Sequence, residues 1–117
     1  MNPIVKNAVL CGLLAVVIGA GLPAAPALAD TPEFTIVIES HRFVPAELRV
    51  PAGQKIRLVI ENRDPTPEEF ESHELNREKI IPGGGSVTIL VGPLEPGEYP
   101  FFGEFNEDTA KGVLVVE

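Results

Sequence analysis

The chain has 117 residues, with 17 acidic against 9 basic side chains and a formal net charge of −8. A surplus of that sign repels phosphate backbones and anionic lipid headgroups, so it argues against nucleic acid and anionic membrane surfaces as partners; it suits the attraction of cations or a basic protein surface, or serves solubility alone. The length gives room for one domain with one modest core.

Residues 1–29 read as an export signal, with an uncleaved membrane anchor as the alternative. Lys6 supplies a positive charge, an apolar stretch runs from Ala8 to about Leu22, and Ala27-Leu28-Ala29 offers the small residues that signal peptidase accepts. Cleavage is predicted after Ala29, with Asp30 as the new N-terminus and residues 30–117 as the mature, exported domain. Cys11 follows Leu10, too large a neighbour for lipoprotein processing, and is read as part of the signal. The signal removes both the only Cys and the only Met, Met1. Eight basic side chains then face all 17 acidic ones, a charge of −9. The mature chain is expected to have no disulfide and no membrane insertion.

After Asp30 the apolar pattern has period two. Phe34, Ile36 and Ile38 alternate with Thr35, Val37 and Glu39; Ile56, Leu58 and Ile60 alternate with Arg57, Val59 and Glu61; Val87, Ile89 and Val91 alternate with Thr88 and Leu90. These are strands with one face toward a core. Further strands are predicted near Leu48 to Val50, Lys79 to Ile81, Tyr99 to Phe102 and Gly112 to Val116. Pro51-Ala52-Gly53, Pro82 to Gly85 and Glu95-Pro96-Gly97 mark turns. About seven short strands at this spacing indicate an all-β sandwich.

The segment from Asp64 to Glu78, DPTPEEFESHELNRE, interrupts the pattern with charge. It is predicted as a long loop with a short helical turn, Thr66 capping, Pro67 in the first helical position and Glu69 three residues after the cap. Glu68, Glu69 and Glu71 would then suit either a binding site or a solvated helix face, since helix N-termini favour acids.

Two stretches resemble the cupredoxin family. FVPAELRVPAGQKIRLVIEN looks like the strand pair with the pattern F-x-P-x-x-[IL]-x-V-x-x-G, and YPFFGEFNEDTAKGVLVV resembles the ending Y-x-F-x-C-x-x-H…M-x-G-x-[LIV]-x-V. The resemblance runs from Phe34 to the C-terminus and implies a Greek-key sandwich. The copper ligands depart from it. Gly103 stands where the family has Cys, Asn106 where it has the next His, and Ala110 where it has Met. The upstream His follows an N-x-D motif in the family; here Asn62-Arg63-Asp64 leads to Glu68-Glu69-Phe70. A blue-copper centre needs the thiolate, so none is expected.

PEEFESHELNREKIIPGGG together with GPLEPGEYPFFGEFNEDTA is similar to cupredoxin-like proteins of the EfeO and FtrB type. That resemblance implies a periplasmic partner of Ftr-type iron permeases and associated iron-uptake proteins, with a carboxylate-rich iron or copper site and a ferroxidase role. Carried onto this chain, Glu68 and Glu69 lie on one loop at an end of the sandwich, and Glu104 and Asn106 on another at the same end. These four and His73 are the candidate metal ligands. Hard oxygen donors suit iron(III), manganese or calcium, and His73 would add affinity for copper(II). Arg77 is an alternative partner for the acids, which would make the cluster structural. A second reading is a metal-free module of cupredoxin shape whose acidic loop docks on an envelope partner; an adhesive or structural envelope domain is a third. No nucleophile–base pair is present for hydrolysis, since adjacent Ser40 and His41 do not face each other.

Overall fold

The computed structural model describes residues 31–117. The expected export signal lies outside the described residues. Nine strands follow in order: β1 Glu33–Glu39, β2 Arg42–Val44, β3 Glu47–Val50, β4 Ile56–Asn62, β5 Glu68–Ser72, β6 Arg77–Ile81, β7 Ser86–Val91, β8 Gly97–Gly103 and β9 Lys111–Val116. One 3-10 turn, Glu104–Asn106, links β8 to β9.

The strands form two sheets, in the orders β2-β1-β4-β7 and β3-β9-β8-β5-β6. The pairs β1–β4 and β3–β9 are parallel; the others are antiparallel. Alternation sets the buried face of each strand. Ile36 and Ile38 of β1, Ile56, Leu58 and Ile60 of β4, and Ile89 and Val91 of β7 meet Phe70, Ile81, Phe101 and Leu114 of the other sheet. Three rings tie the layers at one end. Phe43 meets Phe101 edge-on at 5.0 Å, and Phe70 tilts against Phe101 at 5.0 Å, geometries favoured by the ring quadrupoles.

Two departures from the sequence reading matter for the site. The segment after Asp64 holds a strand, β5, where a helical turn was expected, and the one helical turn among the described residues comes after β8 instead. β5 escapes hydropathy because its inward side chains are Glu68, Phe70 and Ser72, of which one is apolar. The other extra strand, β2, has only three residues.

A buried amide anchors the start of this region. Asn62, at the end of β4, donates through Nδ2 to the carbonyls of Thr66 (2.8 Å) and Ile81 (3.1 Å). Its Oδ1 accepts the N–H of Asp64 at 3.0 Å. Both polar ends are satisfied, as burial requires, and the chain entering β5 is fastened to the end of β6.

Candidate metal centre

Period two within β5 divides the expected ligands between two faces of the sheet. Glu68 points into the sandwich and is 1% exposed. Its Oε1 accepts the N–H groups of Glu69 (2.9 Å) and Phe105 (2.9 Å), and its Oε2 accepts Nδ2 of Asn106 at 2.7 Å. Three donors from the described residues thus occupy both of its oxygens. Gly103 and Ala110 complete the enclosure. A Cβ on Gly103 would lie 2.7 Å from both the Glu68 carboxyl carbon and the Ala110 Cβ. The four positions aligned with the family's copper ligands thus meet in space, and a carboxylate fills the space between them. A blue-copper ion does not fit this set: there is neither thiolate nor imidazole, and both Glu68 oxygens are engaged.

On the outer face a different group assembles. Glu69 and Glu71 project outward from β5, Glu78 stands opposite Glu71 on β6, and Glu104 opens the 3-10 turn. One carboxylate oxygen from each lies within 4.8 Å of the other three. Glu69 is 8% exposed. Among the described residues its carboxylate accepts no hydrogen bond from a nitrogen or hydroxyl donor and forms no ion pair with a cation. Crowding appears in the protonation. A hydrogen bond shared with Glu78, then burial, then Glu104 push the Glu69 carboxyl up to about 7. Glu71 is also raised, by its hydrogen bond to Glu104 and by burial, with the Glu104 and Glu78 charges adding and His73 opposing. Mutual repulsion of this kind is what a bound cation relieves.

The five residues expected from sequence therefore occupy three places. Glu68 and Asn106 bond to each other inside. Glu69 and Glu104 join the outer cluster. His73 stands at its rim with a side chain 74% exposed, its Nδ1 3.9 Å from Glu71 Oε2 and its ring 5.7 Å from that of Phe102. Glu71 and Glu78 complete the cluster. The register of the β5–β6 hairpin reveals Glu78, and the E-x-E spacing of Glu69 and Glu71 is the sequence signal for a shared outward face.

Arg77 does not neutralise the cluster. It projects to the other side and donates to the carbonyls of Leu90, Leu75 and Asn76, bridging β6 to β7 of the opposite sheet. His41 also lies apart, with its N–H on Asp64 Oδ2 at 2.9 Å. That N–H, with the N–H of Ser40, holds Asp64 below the usual carboxylate range against the opposing effect of burial.

Residues 11–116 match the family of cupredoxin-like domains. An uncharacterized protein of Rickettsia prowazekii (strain Madrid E) is 51% identical over 84 residues, covering 72% of this chain and 67% of that protein. Among solved structures, the metal-binding domain of the Streptococcus pneumoniae D39 Cu(I)-exporting P-type ATPase CopA superposes with a TM-score of 0.64 at 20% identity, covering 73% of this chain and 84% of that one. Auracyanin A, a blue copper protein of Chloroflexus aurantiacus, gives 0.63 at 17% identity, covering 73% and 98%. A Cu(I) structure of an amicyanin variant gives 0.61 at 19%, covering 78% and 90%. The sandwich, the convergence of the four ligand positions and the family match agree: this chain belongs to the cupredoxin-like domain family.

Proposed function

We propose that the protein is an exported metal-binding accessory of bacterial iron uptake, which holds iron at Glu69, Glu71, Glu78 and Glu104 for delivery to a permease or for oxidation. The observation that carries this reading is Glu69, a buried carboxyl group gathered with three other carboxyl groups and, among the described residues, bonded to no nitrogen or hydroxyl donor and paired with no cation. Hard oxygen ligands of this kind suit hard cations. Anionic oxygens stabilise iron(III) over iron(II), so bound iron(II) yields its electron to an acceptor such as dioxygen more readily. His73 at the rim adds an imidazole for which copper(II) competes. The resemblance to the EfeO and FtrB type supplies the biological setting, an Ftr-type permease in the periplasm.

The test is calorimetric titration of the mature protein with iron(II) under anaerobic conditions, and with copper(II), beside a Glu69→Gln/Glu104→Gln variant. Stoichiometric binding lost in the variant is the expected result. Absence of binding by both proteins would overturn the reading. It would favour the metal-free docking module, which the carboxylate filling the family's copper position also supports.

A further inference from the structure

Glu68 is buried, lies outside the outer cluster, and yet touches the backbone of both segments that build it. Its Oε1 accepts the N–H of Glu69 and the N–H of Phe105, the residue after Glu104. One oxygen therefore ties together the two stretches of chain that present Glu69 and Glu104. We infer that Glu68 is the positioning residue of the carboxylate site, an internal hydrogen-bond acceptor that fixes the 3-10 turn against β5 so that Glu104 faces Glu69.

The ladder between β5 and β8 explains why such a tie is needed. Its pairs are Glu71 with Phe102 and Phe70 with Gly103. Past Gly103 the chain leaves the sheet, and the turn has no side-chain cap of its own. The N–H of Phe105 is among the donors that a helical turn leaves without an internal partner; Glu68 supplies the acceptor from the neighbouring strand. Asn106 holds the other oxygen at 2.7 Å. Gly103 and Ala110 close around the carboxyl group, with a Cβ at 103 already 2.7 Å from its carbon. The tie has little room to move, which is what makes it a positioning device. Outer-sphere groups of this kind hold ligand side chains in register without touching the cation.

The inference rests on the cation site proposed above, and the experiment separates the two. Manganese(II) binding, followed by the loss of its free-ion EPR signal, is measured for the wild-type protein and for Glu68→Ala, Glu68→Asp and Glu68→Gln, with an NMR amide spectrum of each to establish folding. Glu68→Gln keeps an oxygen for the two N–H groups, and Asn106 can turn its amide to meet the new NH2; its Kd should stay within about threefold of wild type. Glu68→Ala and Glu68→Asp should each weaken binding about 10–100-fold. Aspartate keeps the carboxyl group but is one methylene short of the turn. A purely structural role would lower the Tm of these variants and leave the Kd of the folded molecules unchanged. If Glu68→Ala does not fold, Glu68→Asp against Glu68→Gln decides. Wild-type affinity in the shortened variants overturns the positioning role alone, whereas no binding by the wild-type protein overturns the cation site on which it depends.

Discussion

Glu71 and Glu78 stand directly opposite one another on adjacent strands, the cross-strand position at which like charges destabilise a sheet. No basic side chain among the described residues forms an ion pair with Glu78, and the nearest to Glu71 is His73, at 3.9 Å. Replacing Glu78 with Gln removes the repulsion while keeping the shape. The expected result in chelator is a Tm raised by about 1–6 °C, together with weaker cation binding. Stability and binding changing in opposite directions is the mark of a site whose charges are kept for a ligand. Thermal melts with EDTA and with manganese(II) check both, and a Glu78→Gln protein less stable than wild type in EDTA would show that the pair contributes to the fold.

The same crowding sets a pH dependence. The Glu69 carboxyl is raised from 4.5 to about 7, chiefly by the hydrogen bond shared with Glu78, and Glu71 moves in the same direction. Between these values the folded protein keeps a proton that the unfolded chain releases, so stability falls as pH rises from about 4.5 to 7. Asp64 acts oppositely. Its carboxyl is lowered from 3.8, so its contribution is present above that value and is lost as pH falls through the folded pKa. Urea midpoints in chelator should therefore peak near pH 4.5 and decline toward pH 7.5, with Glu69→Gln removing most of the decline. A midpoint that rises over this range would contradict the carboxyl crowding.

The fold was legible wherever inward positions were apolar, as in Phe34 to Ile38 and Ile56 to Ile60. It was not legible in β5, whose inward positions carry Glu68 and Ser72: a polar interior residue looks like a loop residue until its partners are known. For Glu68 those partners are an N–H from 37 residues away and an amide from 38 residues away. The candidate site was readable in part for the same reason. Glu69 and Glu104 follow from the resemblance to cupredoxins, whereas Glu78 joins them only through the hairpin register. Separating Glu68 from Glu69 requires knowing that the segment is a strand, because only then do neighbouring residues face opposite ways.

Asn62 offers a test of the frame that carries β5. Its side chain satisfies three backbone groups, the carbonyls of Thr66 and Ile81 and the N–H of Asp64. Asn62→Ala removes all three bonds and is expected to cost about 2–4 kcal/mol, the range for loss of a buried hydrogen-bond network. Asn62→Asp should cost more, since a carboxylate would face two carbonyl oxygens. Chemical denaturation measures both; a loss below about 0.5 kcal/mol for Asn62→Ala would mean that water replaces the amide without penalty.

The enclosure around Glu68 can be probed by a single methyl group. Gly103 has φ −100° and ψ 113°, ordinary extended values, so an alanine there meets no backbone strain. Its cost is steric: the new Cβ would lie 2.7 Å from the Glu68 carboxyl carbon and 2.7 Å from the Ala110 Cβ. Gly103→Ala should destabilise by about 1–3 kcal/mol, the range for overpacking. Ala110→Gly removes one of the two obstacles, so the pair should be less destabilising than the sum of the single changes. A double-mutant cycle by urea denaturation reads that coupling, and contacting residues commonly show 0.5 kcal/mol or more, on the order of RT. Strict additivity would mean that Gly103 and Ala110 do not share one filled space, and the picture of a carboxylate sealed into the family's copper position would fail with it.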